Sequence, residues 1–115
     1  MSAAPREALG TLARMRGVRS ALLATEHDGL AAAAISVVGV DEDALAAFAM
    51  ALLRRARLAN GVAGYGETHF LALDADRGRL FVAAGREVAV VVLGEPSANT
   101  GLLRVAMQRV LGALE

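Results

Sequence analysis

At 115 residues, 56% of them hydrophobic and 21% charged, the chain has the length of one domain and can bury roughly two-thirds of the surface its unfolded form exposes. Its 12 cations are all arginine and balance 12 Asp plus Glu, which argues against nucleic acid as a main partner, because neutralising phosphates takes an excess of positive charge. The absence of cysteine excludes disulfides, thiolate zinc sites, iron–sulfur clusters and cysteine nucleophiles.

Residues 5–15 read as a short helix in which Leu9, Leu12 and Met15 recur every three positions. Pro5 is tolerated in its first turn, and Gly17 stops it. Residues 18–25 are apolar and strand-like. Glu26-His27-Asp28-Gly29 turns the chain, with Asp-Gly as the strongest hairpin cue, and residues 30–38 pair back. Apolar residues fill both alternations of that second strand, which predicts a sheet covered on both faces. After Gly39, the acids Asp41, Glu42 and Asp43 open the longest helix, expected to reach about residue 59. Arg54, Arg55 and Arg57 near its end complement the helix dipole, and Asn60, Gly61 and Gly64 terminate it. Three strands follow at 65–74, 79–84 and 87–93, with tight turns at Asp76-Arg77-Gly78 and Gly85-Arg86. Asn99 caps a last helix to residue 114, with Leu103, Met107, Val110 and Leu114 as its apolar stripe. The order is αββαβββα, an α/β chain of the α+β kind in a single domain over residues 1–115.

The first seven residues carry Arg6 and Glu7 where a signal peptide needs an apolar run. The apolar stretch 30–38 is interrupted by Ser36, and 44–53 is too short to span a bilayer. A cytoplasmic protein with no membrane association is expected.

The central helix is apolar on too many sides. No polar residue occurs from Ala44 to Leu53. Placed at 100° intervals, Leu45, Ala49, Leu52 and Ala56 share the side suited to the sheet. Ala44, Ala47, Met50, Ala51 and Leu58 fall opposite, flanked by Arg54 and Arg55. A helix covering one face of a small domain should turn charge outward. Small residues and a methionine there suit close approach by a second subunit. The plainer account is that alanine is a good helix former and sits exposed without purpose.

Candidate chemical sites are thin. A phosphate-binding P-loop needs a lysine, and the glycine-rich stretch from Gly61 to Gly66 precedes a strand instead of opening a helix. His27 lies between Glu26 and Asp28 in a turn, where adjacent residues rarely converge on one metal ion. Tyr65, Glu67 and His69 share a strand face; an acid–base pair is one reading, the polar end of an edge strand running into core residues Leu71 and Leu73 is the plainer one. Ser2, Ser20, Ser36 and Ser97 lack a nucleophile elbow. No catalytic residue, cofactor or metal is expected, and the chain reads as a non-enzyme.

Several segments, in order and spacing, resemble the Roadblock/LC7 family over nearly the whole chain. They are Gly17-Val18, Asp28-Gly29-Leu30, the alanines around Ala46, Ala47 and Ala49, Gly78-Arg79-Leu80-Phe81-Val82, Val91-Val92-Leu93, and the helix opening at Asn99, Gly101, Leu102, Leu103 and Arg104. The resemblance implies a profilin-like, five-stranded antiparallel sheet with the central helix on one face and the terminal helices on the other. It implies dimerisation through packed central helices and edge-to-edge third strands, which would give Thr68, His69, Phe70 and Leu71 a partner. Family members bind and regulate small Ras-like GTPases, or serve as adaptors, without hydrolysing nucleotide themselves. The sequence departs from some relatives in stopping just after the last helix and in its alanine-rich outer helix face.

The expected function is therefore a non-catalytic homodimeric regulator or scaffold that binds a small Ras-like GTPase and modulates its hydrolysis. Ala44, Ala47, Met50, Ala51, Arg54, Arg55, Leu58, Thr68, His69, Phe70 and Leu71 are the candidate interface. An arginine finger from Arg54, Arg55 or Arg57 competes with their reading as dipole-complementing charges. The alternatives are a purely structural adaptor module and a small-molecule sensor with a pocket among Ala31, Ala33, Ala83 and Ala84, where no polar group converges to orient a ligand.

Overall fold

The computed structural model describes residues 4–115; of the residues weighed above, Ser2 lies outside the described residues. The elements in chain order are α1 (Pro5–Ala13), β1 (Val18–Thr25), β2 (Ala31–Ser36), α2 (Glu42–Ala63), β3 (Phe70–Ala75), β4 (Gly78–Ala84), β5 (Val88–Gly94) and α3 (Thr100–Leu114). The strands form one antiparallel sheet ordered β2-β1-β5-β4-β3. Three of the four pairings are hairpins or near-hairpins, and β1 with β5 closes the centre.

Side-chain alternation divides the sheet between two cores. On one face Ala21, Leu23, Phe81, Ala83, Val90 and Val92 meet Leu9 and Leu12 of α1 and Leu103, Met107, Val110 and Leu111 of α3. On the other, Leu22, Ala24, Leu80, Val82, Ala89 and Val91 meet Ala46, Ala49, Met50 and Leu53 of α2. This double cover is why β1 and β5 are apolar at consecutive positions. Ser20 is fully buried among them and shares a 2.7 Å hydrogen bond with Ser36 on the neighbouring strand.

Local chemistry sets the boundaries. Asp41 and Asn99 cap α2 and α3, their side chains accepting from the Ala44 and Leu102 amides at 3.0 Å. In the β1–β2 turn the Asp28 carboxylate accepts from the Thr25 hydroxyl and the Leu30 amide. These two bonds, Thr25's first, hold the Asp28 carboxyl below its ordinary pKa. At Gly17, where φ is +83°, a Cβ would stand 3.1 Å from the Ala98 nitrogen, so only glycine admits the close approach of this turn to the loop before α3.

α2 runs about a turn further than the sequence suggested. Gly61 stays helical, and Gly64 alone enters the left-handed region at φ +75°. There its amide and that of Tyr65 close onto the carbonyls of Gly61 and Asn60 at 3.2 and 2.9 Å. β3 starts at Phe70 instead of residue 65, because the chain that leaves the cap is irregular over residues 65–69.

Candidate self-association surface

α2 buries one stripe, Ala46, Ala49, Met50 and Leu53, packed chiefly on β1, β2 and β4. Met50 is 2% exposed against Leu22, Val82 and their neighbours. Its expected place on the outer face is thus corrected: the sheet-facing side is rotated roughly a quarter turn from the Leu45–Ala49–Leu52–Ala56 side. A run of alanines carries no contrast in hydrophobicity, so several helical phases fit the pattern equally well. The outer face carries Ala44, Ala47, Arg54, Arg55 and Leu58, with Ala51 half-buried. It also carries Phe48, 53% exposed, and Val62, which sequence reasoning missed. Their spacing with Leu58 (48, 58, 62) is the signal that was available once the phase was known.

β3 is a free sheet edge. Phe70 turns to the α1/α3 core, where it stacks on Phe81 at 6.3 Å and lies 5.1 Å beneath the Arg104 guanidinium. Leu71 turns to the α2 core. Leu73 was expected in the core but is 41% exposed, because α2 packs on β1, β2 and β4 and leaves the edge strand uncovered. Beside it a 240 Å³ groove opens between the start of α2 and the end of β3. Leu45, Phe48, Leu73, Leu80 and Leu93 line it, with Arg77 and Arg79 at the rim.

Thr68 and His69 precede the strand. Thr68 is buried and accepts a 2.6 Å hydrogen bond from the Asn60 amide, which ties the chain to the end of α2; its side chain is inside the subunit and offers nothing to an edge partner. His69 is exposed, and its carbonyl accepts from the Ala84 amide at 2.9 Å. Tyr65, Glu67 and His69 do not share a strand face, since residues 65–69 are irregular.

The sequence pattern of the Roadblock/LC7 domain family matches residues 6–94. The chain belongs to the Roadblock/LC7 family. Among curated proteins no relative matches it. Solved structures of the same fold include a Roadblock/LC7 domain from Streptomyces avermitilis, 24% identical, covering 93% of this chain and 91% of that one at a TM-score of 0.84. The gliding protein MglB from Thermus thermophilus is 22% identical, covering 99% and 90% at 0.82. An MglB with a tetrameric arrangement is 21% identical, covering 99% and 90% at 0.84.

The arginines of this Roadblock/LC7 chain differ from expectation. Because α2 continues to Ala63, Arg54, Arg55 and Arg57 stand mid-helix, and no cation occupies its last turn. Their reading as dipole-complementing end charges therefore fails, since that effect is confined to the final turn. Arg54 and Arg55 are exposed on the outer face. Arg57 turns inward, donating to Glu26 at 2.5 Å and to the Gly85 carbonyl at 3.4 Å, and clamps α2 to the β1–β2 turn.

A 740 Å³ cavity opens at this end of the sheet, lined by Glu26, Arg57, Thr68, His69, Arg86 and Glu115 among others. Of the four small residues expected around a sensor pocket, Ala84 lines this cavity and Ala31, Ala33 and Ala83 do not. Among the described residues no group of three His, Asp or Glu side chains is placed to hold a metal ion, and no helix is long and apolar enough to cross a membrane.

Proposed function

We propose that this Roadblock/LC7 chain is a homodimeric scaffold that binds a small Ras-like GTPase and adjusts its hydrolysis without catalysing a reaction itself. The observation that carries the reading is the coincidence, on one side of the molecule, of an unpaired β3 edge and the apolar groove holding Phe48 and Leu73. An exposed, hydrophobic edge strand is a template for pairing, and proteins that remain soluble leave one open only when something covers it. A second copy supplies both missing halves: its β3 for the backbone groups, and its Phe48 for the groove. Ala44, Ala47 and Ala51 let the two α2 helices approach closely, Phe70 and Leu71 continue the shared sheet, and Arg54, Arg55, Leu58 and His69 flank the joint surface. Met50 and Thr68 act within each subunit.

The neighbouring MglB folds, one of them in a tetrameric arrangement, agree with a self-associating platform. The GTPase then docks on that platform, where its own switch residues are positioned for or against hydrolysis.

Light scattering tests the first half. The wild type is expected at no less than two copies, and Phe48→Glu is expected to lose the β3-edge contact. A Phe48→Glu protein with wild-type mass at every concentration overturns the interface. Titration of a purified Ras-like GTPase from the same genome, loaded with GTP or GDP, tests the second half. Absence of binding in both states overturns the partner.

A further inference from the structure

Of the residues lining the 740 Å³ cavity, only His69 takes part in the contact proposed above. The cavity forms where the residue after β1, the turn from β4 to β5, the segment before β3 and the second half of α2 converge, with Glu115 beside them. The Glu26 amide donates to the Glu87 carbonyl at 2.9 Å, which sets Glu26 next to the Gly85-Arg86 turn. The Glu26 side chain is only 10% exposed. Its Oε1 accepts from Arg57, and its Oε2 is buried with no hydrogen-bond partner among the described residues.

That second oxygen is the unusual feature. A carboxylate offers about four lone-pair sites, and burying it against one donor leaves much of its lost hydration unreplaced. Arg57 directs its other terminal nitrogen, Nη2, to the Gly85 carbonyl at 3.4 Å, and the Arg86 amide donates to Glu115 Oε2 at 2.7 Å. The donors nearest to Glu26 are therefore engaged elsewhere. The charge of the lining points the same way. Three carboxylates, those of Glu26, Glu67 and Glu115, outnumber the guanidiniums of Arg57 and Arg86. The Glu115 carboxylate lies directly over Gly85, where a Cβ would stand 2.5 Å from its Oε2. Glu26 and Glu115 thus approach one turn from the α2 side and from the α3 side.

We propose that this cavity binds a small organic cation that carries N–H donors, a primary ammonium or a guanidinium. Glu26 is its buried acceptor, and Glu67 and Glu115 supply the negative field at the exposed rim. The last torsion of a glutamate is soft, so a turn of the Glu26 carboxylate shares it between Arg57 and the ligand. The volume falls in the range of small-molecule sites. A bare metal ion fits less well, because among the described residues no three His, Asp or Glu side chains converge on one point. The inference stands on the cavity and not on the β3-edge contact.

Magnetic resonance of the isotope-labelled intact chain tests it, in salt of about 0.15 M that weakens attraction between exposed charges. The probes are putrescine and agmatine. Tetramethylammonium serves as a cation without N–H donors, and butanediol as the uncharged counterpart of putrescine. Both amines are expected to shift the backbone amide signals of Glu26, Gly85 and Arg86 in a saturable way, and neither control to do so. Glu26→Gln is expected to weaken binding about tenfold or more. Glu67→Arg, at an exposed position that leaves folding untouched, is expected to weaken it about threefold, and it carries the test if Glu26→Gln does not fold. Phe48→Glu is expected to bind as the wild type does, so failure of the β3-edge contact and failure of this site are read separately. Absence of saturable shifts with both amines at millimolar concentration overturns the inference. So does an equal response to tetramethylammonium, or an affinity unchanged by the Glu26 and Glu67 substitutions.

Discussion

Asp28 shows how much one side chain does for a turn. Its carboxylate accepts from the Thr25 hydroxyl and the Leu30 amide, which sets the hairpin between β1 and β2 and with it the register of Leu22 opposite Ala34. Because the folded carboxyl is held below its unfolded pKa, the stabilisation is present above the ordinary carboxylate range. It is lost as pH falls through the depressed value. Asp28→Ala is therefore expected to lower the urea midpoint at neutral pH, with the gap to wild type closing in acid. A gap that stays constant from neutral to strongly acidic pH counts against this role. Asp-Gly was legible in the sequence as a turn. The Thr25 partner was not, since nothing in a string of residues says which hydroxyl faces which carboxylate.

At the scale of the element, α2 is the instructive case. Its start was plain from Asp41-Glu42-Asp43, and its excess of apolar surface was plain too. Which side met the sheet was not. Propensity favours alanine anywhere on a helix, so a run of alanines announces the helix while hiding its rotation. The phase follows from packing: Met50 fits over Leu22 and Val82, and Phe48 is left outside. Truncation separates the two positions. Met50→Ala is expected to cost about 2–5 kcal/mol of unfolding free energy, as a buried large-to-small change does. Phe48→Ala, measured at concentrations low enough to dissociate the assembly, is expected to cost no more than about 0.5 kcal/mol. Equal losses at both positions would contradict the orientation of α2.

For the whole molecule, the sheet has two edges and treats them differently. At β2 the Arg6 side chain reaches from α1 to donate to the Ala34 carbonyl at 3.0 Å, so that edge is partly occupied from within. Among the described residues no side chain covers β3 in this way, and its Leu73 stands beside an open groove. The proposed pairing of two β3 strands would give their outward amides partners they lack in a lone subunit. Hydrogen exchange is therefore expected to show protected β3 amides at concentrations where the wild type is assembled, and rapid exchange for the same amides in Phe48→Glu. Equal, fast exchange in both proteins would place the interface elsewhere.

Helices and strands, the double-faced character of β2, the central hairpin turns and the family itself could all be read from residue order, because each rests on local periodicity or on turn chemistry that neighbours in the chain decide. Three things came only with the tertiary structure: the rotation of α2, the burial of Thr68 against Asn60 and the pairing of Arg57 with Glu26, and the emergence of Phe48, Leu73 and Val38 at the surface. Each depends on what a side chain meets across the fold. An apolar residue carries the same label whether another part of its own chain covers it or a second molecule must.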